Sequence, residues 1–410
     1  MKQIHFIGIG GAGMAPLAQL SLESGIAVTG SDSAVSSKSE HLKALGAKVF
    51  EGHDAKQLPP ETDLVVYSSA VTEENPERRR AVELGIPQLR RGEFLGEFSR
   101  RFKRVTAVSG SHGKSSITAM LCTILEYCKC DSGALVGAAR NQGESARLGD
   151  GDIFVTEVDE SDGTHICVAP FLGIVPNIDE DHEWSVGGAE ALKENFRTFG
   201  RNCRHLLIAD TPFLREFYQD HPALSQAPQP ESFAGFHGFM AKNAALAVHG
   251  AILLGIPYEK ALEAVSTFSG IERRMGVLAQ EGEKVILEDY AHHPTEVRSS
   301  IELVRKLYPG KELLVVFQPH RYARLERFFE GFCAALSEAD QVWVTPVFAA
   351  WCESGSVNSE TLCSRLSNGV YKDRPWEELA AEIREMTGNK LILLLGAGDI
   401  SRLAEELRCP

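Results

Sequence analysis

Two glycine-rich turns, each set between a short apolar run and a helix-forming run, leave this chain few ways to fold. The first is Gly8-Ile9-Gly10-Gly11-Ala12-Gly13, which follows the apolar residues 4–7 and precedes a helical stretch at 14–22. The second is Gly110-Ser111-His112-Gly113-Lys114-Ser115-Ser116, which follows the apolar run 104–108 and leads into a helix expected from 115 to about 126. Glycine lets backbone approach a bound group closely, and the helix behind it presents N–H donors and partial positive charge. Further apolar runs at 26–29, 64–67, 153–158, 173–175, 205–209, 285–287, 312–317, 341–344 and 391–395 alternate with helical stretches. That alternation predicts an α/β fold built on parallel sheets. A third start follows Arg273-Arg274, so the 410 residues divide near 102 and 272 into segments 1–101, 102–271 and 272–410. Residues 225–238, rich in Pro, Gln, Ser and Gly, read as a loop, and 242–254 as an Ala-rich helix stopped by Gly255 and Pro257.

Composition removes several classes. The net charge is −14, which speaks against a nucleic-acid binder with its basic face. Nine cysteines, an odd number without a C-x-x-C pair, fit reduced thiols better than a disulfide framework or a zinc finger. Residues 3–22 carry no charged side chain, but four glycines and Pro16 make them strand, turn and helix, not a membrane span or signal peptide. With no address signal, the cytoplasm is the expected location.

Four places carry chemistry. Gly8, Gly10, Gly11 and Gly13, with Asp32 at the end of the next strand, suit a diphosphate or other nucleotide-type ligand. In the second turn, backbone amides from Gly110 to Ser116 suit phosphates, with Lys114 reaching the β/γ-phosphates and the Ser115 hydroxyl binding Mg²⁺. Its spacing is shorter than the generic G-x-x-x-x-G-K-[ST] loop, because position 108 is Val. Glu157-Val158-Asp159-Glu160-Ser161-Asp162 and Asn177-Ile178-Asp179-Glu180-Asp181-His182 each follow a strand and suit divalent-metal ligation downstream of a phosphate loop. Asp289-Tyr290-Ala291-His292-His293-Pro294-Thr295-Glu296 and Gln318-Pro319-His320-Arg321-Tyr322-Ala323-Arg324 concentrate polar groups at strand ends, with Arg321 and Arg324 able to hold a carboxylate or phosphate.

In this order, these segments resemble the Mur ligases, which add amino acids to the peptidoglycan precursor; the resemblance runs over essentially the whole chain, and the terminal Gly396-Ala397-Gly398-Asp399-Ile400 belongs to it. It implies a Rossmann-like N-terminal domain for the UDP-sugar, a central P-loop ATPase-like domain, and a Rossmann-like C-terminal domain that brings the amino acid. It further implies ATP and Mg²⁺ as cofactors, and UDP-N-acetylmuramate and L-alanine or a similar small amino acid as partners, in a monomer or homodimer. By motif match, Gly8, Gly10, Gly11, Gly13, Met14, Asp32, Ser68, Ser69 and Ala70 would face the UDP-sugar. Gly110, Ser111, His112, Gly113, Lys114, Ser115, Ser116, Asn177, Asn243 and Arg274 would line the ATP site. Ser115, Glu157 and His182 would serve the metal; Glu157 is preferred to Glu160 because it comes first after its strand. Lys114, Glu157, His182, His320, Arg321 and Arg324 would be the catalytic set.

The chain departs from the family pattern in three places. It is short between 224 and 238, reads His237-Gly238-Phe239-Met240 where relatives have Gly-x-His-Asn, and reads Phe348-Ala349-Ala350-Trp351-Cys352-Glu353 where they have a Tyr-Pro-Ala-Gly-Glu-like run. Three other functions compete: a recycling ligase that attaches a tripeptide, a non-catalytic UDP-sugar-binding homologue, and an NAD-dependent oxidoreductase built on Gly8–Gly13 and Asp32. The last leaves the Lys114 loop without a purpose.

Overall fold

The computed structural model describes residues 1–179, 186–350 and 354–408. The chain forms two compact units, Met1–Phe236 with Met240–Ser269, and His237–Phe239 with Gly270–Pro410.

The first unit holds two α/β sheets. In the first, β1 (Gln3–Ile7), α1 (Met14–Glu23), β2 (Ala27–Asp32), α2 (Ser37–Ala44), β3 (Lys48–Glu51), β4 (Leu64–Tyr67), α3 (Pro76–Leu84), β5 (Gln88–Arg90) and α4 (Arg91–Ser99) follow in turn. The strands are parallel in the order β3-β2-β1-β4-β5. The chain steps outward from β1 to β3 and then returns to β4, so the switch point lies between β1 and β4. Ligand crevices open at such points, at the carboxyl ends of the strands. Gly8–Gly13 and Ser68–Ala70 leave from those two ends.

The second sheet comprises β6 (Arg104–Val108), α5 (Lys114–Tyr127), β7 (Ser132–Leu135), β8 (Ala146–Arg147), β9 (Ile153–Glu157), β10 (Leu172–Val175), α6 (Ala189–Asn202), β11 (His205–Ala209), α7 (Pro212–Phe217) and β12 (Leu224–Ala227). A small ribbon, β13 (Ser232–Phe233) with β14 (Phe236–His237), then leads to α8 (Gly238–Leu253) and α9 (Tyr258–Val265). The order is β12-β11-β10-β6-β9-β7-β8, with only β8 antiparallel to its neighbour. Because β6 lies between β10 and β9, the segments leaving their carboxyl ends converge: 109–113, 158–162 and 176–179.

Two expectations fail here. Residues 225–238 are not a plain loop, because β12 pairs in parallel with β11 and the ribbon follows. The helix expected from 242 starts at Gly238, which takes a left-handed φ of +55°.

The second unit contains β15 (Gly276–Glu281), β16 (Lys284–Asp289), α10 (Pro294–Leu307), β17 (Glu312–Phe317), α11 (Tyr322–Arg327), α12 (Phe329–Leu336), β18 (Gln341–Val344), α13 (Ser359–Arg365), β19 (Gly369–Tyr371), α14 (Trp376–Glu385), β20 (Lys390–Leu395) and α15 (Ser401–Arg408). Its sheet runs β15-β16-β20-β17-β18-β19, parallel except for β15. Alternate residues fill two cores. Leu313, Val315, Phe317, Leu391, Leu393 and Leu395 face one, and Leu314, Val316, Ile392 and Leu394 the other. A strand apolar on both faces is the mark of a sheet covered on both sides by helices.

Candidate functional site

The Lys114 loop owes its shape to two glycines with positive φ, Gly110 at +153° and Gly113 at +86°. A Cβ on Gly113 would lie 2.8 Å from Oδ1 of Asn243, and one on Gly110 would lie 2.9 Å from the Asn177 carbonyl. The loop is therefore packed against both asparagines named from the sequence. Asn177 braces it directly: its Oδ1 accepts from the His112 amide at 2.8 Å, and its Nδ2 donates to the His112 carbonyl at 3.1 Å. The His112 ring meets Asp179 at 2.9 Å, and the Ser111 hydroxyl accepts from the Asp179 amide at 2.8 Å.

The Lys114 ammonium donates to the Gly110 carbonyl at 2.6 Å and to Glu160 Oε2 at 2.8 Å. The Ser115 hydroxyl donates to Glu157 Oε2 at 2.6 Å. The two glutamates thus divide the work: Glu160 holds the lysine, and Glu157 sits with the serine. Ser116 is buried in the first turn of α5. Burial opposes charge on Lys114, but Glu160 and Asp159 outweigh it and keep the ammonium protonated. Burial likewise raises Asp159, yet Lys114 and the Ser161 amide bring it down to about 2. Burial pushes Glu157 upward. Three carboxylates thus surround one ammonium, and Glu160 Oε1 is buried without a hydrogen-bond partner. Burial holds Glu160 up at about 7, so these carboxylates lack enough positive charge, and a hard divalent cation beside the serine–carboxylate oxygen pair would favour their ionised forms. Ser115 and Glu157 are the donors in place; His182 lies outside the described residues.

At the first glycine turn, Gly8 has φ +82° and its amide donates to the Ser31 carbonyl at 2.8 Å. A Cβ on Gly8 would come within 3.2 Å of Ser68, so the Ser68 segment lies against the turn, with Ser69 and Ala70 exposed beyond it. Gly11 closes the turn through its amide to the Gly8 carbonyl at 3.1 Å. Asp32 accepts from the Gly10 amide at 2.8 Å, so its carboxylate braces the turn. Met14 is buried and packs under Gly11 as a core residue at the start of α1.

The sequence reading missed Arg91. Its guanidinium lies against Gly13, where a Cβ would sit 2.6 Å from Nη1. It pairs with Asp162 and donates from Nη2 to the Thr164 hydroxyl at 2.9 Å.

In the second unit, His320, Arg321 and Arg324 come together. Arg324 Nη1 meets His320 Nδ1 at 3.3 Å, the His320 ring stacks on Phe348 at 5.5 Å, and the Arg321 amide donates to the Phe348 carbonyl at 2.9 Å. Arg321 takes φ +70°, a strained setting for a residue with a side chain. Burial, with His292 and both arginines beside it, lowers His320 to about 3. Burial also lowers His292 to about 4 and raises Asp289 to about 6, while Ser300 donates to Asp289 at 2.8 Å. Arg274 pairs with Glu296 at 3.5 Å and lies over the Tyr290 ring at 5.0 Å.

A short glycine loop closing on Lys-Ser, with acidic strand ends beside it, defines a phosphate-handling α/β protein. Comparison with known proteins makes that class specific. A model described as "Mur ligase family, catalytic domain" matches residues 3–103, and one described as "Mur ligase, glutamate ligase domain" matches residues 273–398. The UDP-N-acetylmuramate–L-alanine ligase of Aquifex aeolicus is 35% identical, the match covering 99% of this chain and 97% of that protein. The solved structure of the UDP-N-acetylmuramate–alanine ligase of Thermotoga maritima aligns with a TM-score of 0.82 at 24% identity, covering 99% of this chain and 98% of that one. A murein peptide ligase from Psychrobacter arcticus aligns at 0.72 and 21%, over 100% and 99%. The chain belongs to the Mur ligase family.

Proposed function

We propose that this protein is an ATP-dependent ligase that joins L-alanine to the lactyl carboxylate of UDP-N-acetylmuramate in peptidoglycan precursor synthesis. The observation that carries the reading is the end-to-end relation to the Aquifex aeolicus ligase, together with the Lys114–Glu160 and Ser115–Glu157 pairs at the head of α5. Segments 1–101, 102–271 and 272–410 are read as the UDP-sugar, ATP and amino-acid domains.

The sugar nucleotide's diphosphate would lie on the amides of Gly8–Gly13, beside Ser68–Ala70. ATP phosphates would lie on the amides of Gly110–Ser116, with Asn177 and Asn243 holding the loop in shape. The lactyl carboxylate oxygen attacks the γ-phosphorus, its bond to the bridging oxygen breaks, and ADP leaves. The amine of the amino acid then attacks the acyl carbon, loses its proton, and inorganic phosphate departs. Lys114 neutralises charge on the transferring phosphoryl group, which needs positioning and electrostatics more than covalent help. Ser115 and Glu157 would hold Mg²⁺, with His182 as the third group; the ion would supply charge neutralisation for the phosphates. His320, Arg321 and Arg324 would hold the amino-acid end. The expected location is the cytoplasm; among the described residues no helix is long and apolar enough to cross a membrane.

The test is phosphate release from ATP and Mg²⁺ with UDP-N-acetylmuramate and, in separate reactions, L-alanine, glycine, L-serine, the tripeptide or nothing. Release requiring both the sugar nucleotide and L-alanine is expected. Release with the tripeptide alone would make this the recycling ligase. No release, with the sugar nucleotide still bound, would make it a non-catalytic homologue.

A further inference from the structure

We infer that Arg91 is a positioning residue that locks the UDP-sugar turn to the phosphoryl-transfer site through α4; the inference rests on the function proposed above. Arg91 is the first residue of α4 and directly follows β5, the edge strand of the first sheet. Its guanidinium occupies the space a Cβ on Gly13 would need. Its other end is fixed in the second sheet's acidic segment: Nε donates to Asp162 Oδ2 at 3.2 Å and Nη2 to the buried Thr164 hydroxyl at 2.9 Å. Asp162 also accepts from the Thr164 amide at 3.0 Å, so the carboxylate is itself held. Two residues before Asp162 stands Glu160, the partner of Lys114. One side chain therefore spans from the last glycine of one anion-binding turn to the segment that sets the lysine of the other.

The rest of α4 is built for the same contact. A Cβ on Gly92 would lie 2.7 Å from the Thr164 hydroxyl and 2.9 Å from its Cα, and a Cβ on Gly96 would lie 2.2 Å from the Cys167 carbonyl. Two glycines four residues apart let the helix rest directly on the backbone of the turn Thr164–Cys167. Contact of this kind has little slack, so a displacement of the glycine turn moves the acidic segment with it. The guanidinium is already committed to Asp162, which makes it a poor receptor for the sugar nucleotide's phosphates. Its loss should therefore disturb alignment of the carboxylate with the γ-phosphate more than it disturbs binding.

The experiment measures kcat and each KM for Arg91→Ala, Arg91→Lys, Asp162→Asn and the Arg91→Ala/Asp162→Asn pair in the full chain, with thermal unfolding of each. The expected result is a fall in kcat of about 10–100-fold for Arg91→Ala, the size of a small misalignment. The KM values for ATP and UDP-N-acetylmuramate should stay within about threefold, and Arg91→Lys should recover part of the loss. The double variant should be no slower than the worse single one, since both remove one linkage. Unchanged kcat in Arg91→Ala, whatever its melting temperature, would overturn the inference. So would a raised KM for the sugar nucleotide at unchanged kcat, which would make Arg91 a direct ligand contact. If Arg91→Ala fails to fold, Arg91→Lys and Asp162→Asn decide the matter by the same split. An inactive wild-type protein would instead sink the function proposed above.

Discussion

Gly137 shows how closely single residues are fitted around the Lys114 loop. A Cβ there would lie 1.7 Å from Glu157 Oε1. The obstructing atom is the end of a side chain, so Gly137→Ala should leave the fold intact and push the carboxylate off Ser115. Turnover is expected to fall about 10–100-fold, from displacement of an aligned group, with little change in melting temperature. Full turnover in Gly137→Ala would remove the Ser115–Glu157 pair from the chemistry. Sequence reading named Glu157, Lys114 and Ser115 as candidates because each sits at a strand or helix end with a local motif around it, and the fold places Ser115 on Glu157 and Lys114 on Glu160. It did not reach Arg91, whose partner Asp162 is 71 positions away, a separation at which no spacing rule operates. Asp32 and Met14 were named for the ligand site by their place in a motif; spacing alone did not show that Asp32 also braces the turn or that Met14 packs beneath it.

At the scale of elements, the turn Thr164–Cys167 packs His165 against Phe196 and Phe199 of α6, with ring centroids 5.2 and 6.1 Å away. Both ring nitrogens are buried without a hydrogen-bond partner, and burial lowers the ring to about 4 from an ordinary 6.5, against the pull of Asp159 and Asp162. The neutral form is thus favoured in the folded state. Its contribution is complete above pH 6.5 and is lost as pH falls toward 4, because the unfolded chain takes up the proton first. The slope is about 1.4 kcal/mol per pH unit in the middle of that window. His165→Leu should flatten it, as urea unfolding at several pH values would reveal; identical slopes would mean that His165 titrates alike in both states. The same scale separates what was legible from what was not. Strands 64–67, 104–108, 205–209, 312–317 and 341–344 sit where their apolar runs placed them, because a buried parallel strand is apolar on both faces. The strand Leu224–Ala227 escaped notice because it is an edge, paired on one side only, and its Leu-Ser-Gln-Ala carries no continuous apolar run.

For the whole molecule, the two glycine turns belong to different sheets, the first after β1 and the second after β6. Lys114→Ala should therefore abolish phosphate release while the sugar nucleotide still binds. Saturation at 100 times Kd should still stabilise the variant by about 2.7 kcal/mol, as read by thermal shift. Loss of both properties together would mean that the two turns do not act as separate sites. The three large sheets were foreshadowed by the three strand starts, since alternating strands and helices can bury their apolar faces in few other ways.

The order of β15 to β20 bears on how the second unit is made. Its last strand in sequence, Lys390–Leu395, lies in the interior of the sheet and pairs with both β16 and β17. During synthesis, the strands at 276–289 and 312–371 emerge as two half-sheets, each with an apolar edge and nothing to join them. The seam closes only when residues 390–395 leave the ribosome. Until then, the exposed edges are templates for pairing with other nascent chains. A nonsense mutation even a few residues before Lys390 would free that state permanently, giving an aggregating product instead of a slightly shortened enzyme.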